Sequence, residues 1–153
     1  MNSLELKIPP PVVAVTIAAL MWGLSRITPA LVFGAELRGT CAIMIAAIGL
    51  AFDIAGVCAF WRAKTTINPM KPGSSARLVN SGIYRVTRNP MYVGLCLVLT
   101  AWAVYLWNVW TLPGPALFVL YINRFQIVPE ERALAALFGA EFSAYKARVR
   151  RWL

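Results

Sequence analysis

Two polar segments of the sequence carry residue types that could bind a small molecule, and the first runs from Ser81 to Gly94 as SGIYRVTRNPMYVG. Pro90 suits the first turn of a helix, because its missing N–H would be unpaired there, and Asn89 is a residue type that caps helices. The free N–H groups of such a helix bind a carboxylate or a phosphate. Tyr84 and Tyr92 offer ring faces to a base. The same letters also allow a structural interpretation: a capped helix, arginines that mark one side of a membrane, and tyrosines at its interface.

The second segment is Pro129-Glu130-Glu131, which places two of the chain's six acidic residues side by side. At a helix N-terminus such carboxylates gain from the helix dipole, which is a structural explanation. A functional explanation is that one of them binds an ammonium group at the membrane boundary, where partial desolvation strengthens the attraction. Arg124 lies within two helical turns upstream, where it could pair with these acids or bind a substrate carboxylate.

A third candidate is Asp53, which lies in an otherwise apolar stretch where a charge is costly and usually has a purpose. A hydrogen bond across helices and a role in a pocket are both open. The sequence contains no histidine, which excludes Ser-His-Asp and Cys-His catalysis and metal sites that need histidine. The three cysteines show no CxxC spacing, so no metal site is predicted.

The elements that must position these residues are membrane helices. Hydrophobic residues make up 59% of the 153 residues and charged residues 14%, and the apolar residues occur in runs long enough to cross a bilayer. We therefore predict a single all-α domain, an integral membrane bundle of about four transmembrane helices. Small residues at Ala47, Ala51 and Ala55 would let the second span approach a neighbour closely. The predicted spans cover about 9–33, 39–61, 90–107 and 113–128. Arg26 and Pro29 interrupt the first span, so we expect its end to bend or to stop there.

An amphipathic C-terminal helix is predicted over 129–153, either lying on the membrane surface or folding back against the bundle. The loop 63–89 is rich in basic residues and contains no acid. The positive-inside rule places this loop and the C-terminal segment in the cytoplasm, and with four spans the N-terminus too. Any active site would then face the cytosol. The net charge of +9 is explained by this topology, so no nucleic acid partner is predicted.

The motif from Leu78 to Gly94, LVNSGIYRVTRNPMYVG, resembles the LVxxGxYxxxRHPxYxG signature of the isoprenylcysteine carboxyl methyltransferase family. The segment from Glu130 to Val149 resembles that family's EExxLxxxFGxxYxxYxxxV tail, and the related phospholipid methyltransferases share the double glutamate. The family often has histidine where Asn89 stands, so we expect Asn89 not to act as an essential acid or base. In the prenylcysteine enzymes of the family, an arginine near the double glutamate holds the carboxylate of the acceptor. Counted from the double glutamate, the corresponding position in this chain is near Gln126.

The resemblance implies a cytosolic pocket for S-adenosylmethionine, with a lipophilic or small methyl acceptor entering from the bilayer. The acceptor could be a prenylcysteine carboxylate, a phospholipid amine, a small thiol or another lipophilic molecule. As a hypothesis, Arg124 or Asp53 orients the acceptor for in-line attack on the methyl group. Carried over residue by residue, the cofactor-binding positions are Leu78, Val79, Tyr84, Arg88, Asn89, Pro90, Met91, Tyr92, Gly94, Glu130 and Glu131.

Two alternatives remain open at the level of the sequence. Membrane sterol reductases, which use NADPH, carry a similar Arg-Asn-Pro-x-Tyr segment but have more spans than this chain. A non-catalytic small membrane protein is the other alternative. It would line a path with intramembrane polar residues, whereas Asp53 is the only acid within a predicted span.

Overall fold

A computed structural model describes residues 5–32, 34–63 and 78–153, and within these residues it contains helices and no strand. The prediction of an all-α fold is confirmed. The elements are α1 (Pro10–Ile27), α2 (Ala35–Ala63), a 3-10 helix (Gly82–Arg85), α3 (Pro90–Leu106), a second 3-10 helix (Val109–Thr111), α4 (Pro113–Ile122), a π-helical turn (Asn123–Ile127) and α5 (Val128–Arg148).

Two of the described helices are long and apolar enough to cross a membrane, namely Pro10–Ile27 and Glu36–Ala63. Pro90–Leu106 is a shorter apolar helix. Large apolar side chains such as Leu20, Ile48 and Leu50 are exposed on α1 and α2, outside the contacts between the described helices. Such faces suit lipid rather than water, while the count of four spans stays a prediction.

Several predicted boundaries differ from the observed ones. The first helix ends at Ile27 rather than near residue 33, and Thr28 is extended with φ −119° and ψ 154°. The cause is Pro29, because a proline disfavours helical backbone in the residue before it. The second helix begins at Ala35 and ends at Ala63, so it is longer than predicted. Of the predicted loop 63–89, residues 64–77 lie outside the described part of the chain.

Close packing between α2 and α3 runs through glycines rather than through the predicted alanine stripe. A Cβ atom on Gly49 would lie 2.9 Å from the carbonyl oxygen of Gly94, and one on Gly56 would lie 2.7 Å from Met91 Cγ. Ala47 and Ala51 are exposed instead. The backbones of α2 and α3 therefore approach closely near the N-terminus of α3. This contact fixes the position of the predicted Asn-Pro-x-Tyr segment.

No break separates the predicted fourth span from the helix after it, because α4, the π turn and α5 follow one another without a gap. The predicted amphipathic helix 129–153 ends at Arg148, and a kink at Gly139 (φ 47°, ψ −116°) divides α5. Its apolar side chains fold back on the bundle. They form a core cluster with Ala59, Val79 and Tyr84 to which α5 contributes Phe142 and Tyr145.

Candidate active site

The two polar segments meet through a hydrogen bond between Tyr92 and Glu130, residues 38 positions apart. The Tyr92 hydroxyl donates to Glu130 Oε1 at 2.6 Å, and the side-chain amide of Gln126 donates to the same oxygen at 2.6 Å. Tyr92 and Gln126 are buried, and Glu130 is partly buried. The start of α3 and the start of α5 therefore share one carboxylate. We name Tyr92, Gln126 and Glu130 the carboxylate cluster.

The π turn Asn123–Ile127 joins α4 to α5 and carries Gln126 of the carboxylate cluster, and π turns of this kind are frequent at functional sites. The backbone N–H of Leu6 donates to the carbonyl of Phe125 inside this turn at 3.0 Å. The segment before α1 thus contacts the helical turn that carries Gln126. The sequence placed Gln126 near the acceptor-binding position of the family but did not predict its contact with Glu130. Their spacing of four residues places both side chains on one helix face.

Burial raises the pKa of Glu130 from its usual 4.5 to about 7. The hydrogen bonds from Tyr92 and Gln126 stabilise the ionised form and oppose this shift, while the negative charge of Glu131 adds to it. Desolvation is the largest of these effects, as expected for a carboxyl group removed from water. Glu130 therefore titrates near neutral pH, and a cationic ligand would favour its ionised form.

Arg88 pairs with Glu131, the residue after Glu130, and part of its guanidinium has no hydrogen-bond partner within the described residues. Only 10% of its side chain is exposed, and its Nη2 is 3.2 Å from Glu131 Oε1. Its Nε and Nη1 atoms are buried and have no hydrogen-bond partner within the described residues. Buried guanidinium N–H groups without partners are costly, so this side of Arg88 suits an anionic ligand.

The Glu131 carboxylate forms ion pairs with three basic side chains of the protein. Arg151 donates to both of its carboxylate oxygens, with Nε at 3.1 Å and Nη2 at 2.7 Å. Lys146 Nζ lies 3.9 Å away, and Arg88 completes the set. Glu131 was predicted to contact the cofactor. In the structure its carboxylate forms ion pairs with Arg88, Lys146 and Arg151.

The predicted capping role of Asn89 is wrong. Its side chain makes no capping hydrogen bond to α3, and instead its Nδ2 donates to the carbonyl of Arg151 at 2.9 Å. The amide satisfies a long-range contact that the local sequence does not show. Pro90 does begin α3 as predicted, and the backbone carbonyl of Asn89 accepts the first hydrogen bonds, from Tyr92 and Val93.

The remaining predicted cofactor-binding residues surround this centre from the side of α2. Met91 contacts Gly56, and Leu78 packs on the core cluster that contains Val79. Tyr84 is buried in that cluster, its ring edge-on to Phe60 at 5.6 Å, and its carbonyl accepts a 2.7 Å hydrogen bond from the Tyr145 hydroxyl. Its ring has little free face left for stacking.

The two residues expected to orient the acceptor lie in different places. Arg124 is 55% exposed and pairs with Glu5 at 3.7 Å rather than with the acids that follow it, and Arg132 holds Glu5 at 2.8 Å. Asp53 faces α3 at Gly94, where an added Cβ atom would collide with its carboxylate. Among the described residues it has no ion pair and no hydrogen bond to its side chain. Asp53 is therefore close to the start of α3, and Arg124 belongs to a surface ion-pair group.

An apolar groove of about 490 Å³ opens between α1, α2 and the side of α3. Its α3 wall begins at Leu95, three residues after Tyr92, and continues through Leu99 to Trp102. Ala18 and Ala46 lie on the opposing helices. The groove has almost no polar lining, so its composition suits a hydrocarbon chain.

Comparison with known proteins identifies the class. The phospholipid methyltransferase family matches residues 37–141, more than half of the chain, and the chain belongs to that family. It is also similar to a Haemophilus influenzae protein described as uncharacterized, with 48% identity over 63 residues, which are 41% of this chain and all of that protein. No solved structure matches. Family membership and the apolar helices support a membrane methyltransferase.

Proposed function

We propose that the chain is an integral membrane methyltransferase that takes its methyl group from S-adenosylmethionine and delivers it to a lipophilic or small acceptor. The observation that carries the proposal is the 2.6 Å hydrogen bond between Tyr92 and Glu130. It joins the two segments that resemble the isoprenylcysteine carboxyl methyltransferase motifs, next to the unsatisfied Arg88. Arg88 pairs with Glu131, the residue after Glu130, so we assign the Glu130 carboxylate and the Arg88 guanidinium to one site between α3 and α5.

The residues present fit the two charges of the methionine part of this cofactor. Glu130 suits the ammonium group, because a cation compensates the desolvation that raises the pKa of this carboxyl. The unpartnered Nη1 of Arg88 suits an oxygen of the carboxylate, since a hydrogen bond from a guanidinium to a carboxylate is charge-assisted. Leu78, Val79 and Met91 offer apolar contacts to the nucleoside part.

S-adenosylmethionine supplies an electrophilic methyl group, so the protein has to bind, orient and exclude water. The buried side chains of the carboxylate cluster fix the orientation of Glu130. The tight contacts of Gly49 and Gly56 with α3 exclude water from the α2 side. Because the cofactor supplies the reactive group and the protein only binds and orients it, the reaction does not require histidine, which this chain lacks.

The groove between α1, α2 and α3 would hold the apolar part of the acceptor. Its wall on α3 starts one helical turn from Tyr92, so an acceptor with a hydrocarbon chain could present its head to the site from the bilayer. Asp53, at Gly94, is the better placed of the two predicted orienting residues. Arg124 is engaged with Glu5. In our proposal the site faces the cytosol, because the basic residues flank it.

The test is to purify the protein in detergent and to incubate it with methyl-labelled S-adenosylmethionine, a lipid extract and candidate small thiols. We expect one labelled product, whose chemical class identifies the acceptor, and no product with Glu130→Gln. Glu141→Gln, the same change at an exposed position of α5, should retain activity. Retention of NADPH in place of S-adenosylmethionine would instead point to a reductase, and affinity for neither to a non-catalytic membrane protein.

A further inference from the structure

The residues that follow α5 lie against the start of α3 through a set of backbone contacts. The N–H of Arg88 donates to the carbonyl of Arg150 at 3.0 Å. The next carbonyl, that of Arg151, accepts from Thr87 Oγ1 at 3.1 Å and from Asn89 Nδ2 at 2.9 Å. Three consecutive residues before α3 are thus tied to two consecutive carbonyls, which fixes the backbone on both sides of Arg88.

Side chains add a second attachment at the same place. Arg151 forms a two-pronged ion pair with Glu131, and Glu131 holds Arg88 at 3.2 Å. The Glu131 side chain is only 13% exposed, so these pairs are shielded from water and stronger than surface ion pairs. Trp152 Nε1 donates to Asn123 Oδ1 at 3.1 Å and anchors the segment to the π turn.

We propose that the segment Val149–Trp152 positions the anion-binding side of Arg88, and that Arg151 does so through Glu131. Glu131 and Arg151 are positioning residues in this view, and Arg88 alone contacts the carboxylate of the cofactor. The inference rests on the proposed function. It assigns Glu131 a role different from that of Glu130, although the two are adjacent.

The chain geometry supports this assignment over direct contact by Glu131. Both Glu131 oxygens are already bound by Arg151, whereas two guanidinium nitrogens of Arg88, Nε and Nη1, have no partner within the described residues. An unpaired guanidinium rotates about its side-chain bonds. Glu131 on one side and the fixed backbone on the other restrict Arg88 to one orientation, which reduces the entropy lost on binding a carboxylate.

The experiment compares two ligands that differ only in the carboxylate, S-adenosylmethionine and its decarboxylated analogue, by titration calorimetry on the full chain in detergent. For Arg151→Gln we expect the affinity for S-adenosylmethionine to fall about tenfold or more, the scale of a lost hydrogen bond to a charged group. The affinity for the decarboxylated analogue should stay unchanged. Arg148→Gln is the matched control, because this arginine is exposed, lies before the segment and has no side-chain ion pair within the described residues. It should bind both ligands like the wild type.

An equal loss for both ligands, or no loss for either, would overturn the inference, because the carboxylate would then not be the group affected. If Arg151→Gln does not fold, Arg151→Lys replaces it, since lysine keeps a charge near Glu131 but cannot form the two-pronged pair. It should give the same selective loss at smaller size, and an unselective effect there counts against the inference. Failure of the proposed function is distinguishable, because the wild type itself would bind neither ligand.

Discussion

Replacing Glu130 with glutamine should stabilise the ligand-free protein above neutral pH while abolishing its activity. Burial raises the pKa of this carboxyl from 4.5 to about 7 in the folded state. Each pKa unit corresponds to about 1.4 kcal/mol, so the ionised carboxylate destabilises the fold by about 3 kcal/mol. Glutamine carries no charge, and its carbonyl oxygen can still accept the hydrogen bonds from Tyr92 and Gln126.

The sign of the pH dependence follows from the direction of this shift. Below pH 4.5 the carboxyl is protonated in both the folded and the unfolded protein, so Glu130 costs nothing there. Between pH 4.5 and 7 the folded protein binds more protons than the unfolded chain, and its stability falls as the pH rises. The advantage of glutamine therefore grows over this range and levels off above pH 7.

Thermal unfolding in detergent at pH 5 and pH 8 measures this difference. At pH 8 we expect Glu130→Gln to melt roughly 6–12 °C above the wild type, from about 2–4 °C per kcal/mol for a chain of this size. At pH 5 the gap should be small. The control is Glu141→Gln, whose exposed side chain should give no gap that depends on pH. The reasoning is refuted if Glu130→Gln melts below the wild type at pH 8, or if the gap is the same at both pH values.

Three further outcomes are expected. Affinity for S-adenosylmethionine should fall about tenfold per pH unit below pH 7, because a proton on Glu130 competes with the ammonium group. Calorimetry from pH 5.5 to 8 measures this dependence. An affinity that does not change with pH would argue against this contact. Gly94→Ala should lower stability by about 1–3 kcal/mol through overpacking, whereas Gly23→Ala, which meets no atom within 4 Å, should be neutral or slightly stabilising in the same melting assay. Gln126→Leu should lower the affinity for the cofactor, because it removes a hydrogen-bond donor to the Glu130 carboxylate. Arg124→Gln should leave that affinity unchanged. A larger loss of affinity with Arg124→Gln than with Gln126→Leu would show that Arg124 belongs to the site.

The sequence predicted those features that depend on local chemistry. Pro90 begins α3 because a proline at this position suits a first helical turn, and the structure agrees. The proximity of Tyr92 and Glu130 followed from the resemblance of the two motifs. The end of α1 before Pro29 has a local cause as well, and the sequence marked Arg26 and Pro29 as the place where this span bends or stops.

Features that depend on distant contacts could not be predicted in this way. Asn89 has the composition of a helix cap, but its side chain binds a carbonyl 62 positions away. The helix α2 is apolar on all sides, so its sequence has no hydrophobic periodicity that would indicate which face is buried. In the structure the face of Gly49, and not the face of Ala47, packs on α3. The π turn that carries Gln126 depends on tertiary packing, which no local pattern records.

The central claim is that the start of α3 and the start of α5 jointly bind the charged end of S-adenosylmethionine. Equilibrium titration of that ligand into the purified wild type and into Glu130→Gln, at pH 8, tests it most directly. We expect one bound ligand per chain for the wild type and an affinity at least about tenfold lower for the variant, the scale expected for a charge-assisted contact. Equal affinities for the two proteins, or no binding by the wild type, would contradict it.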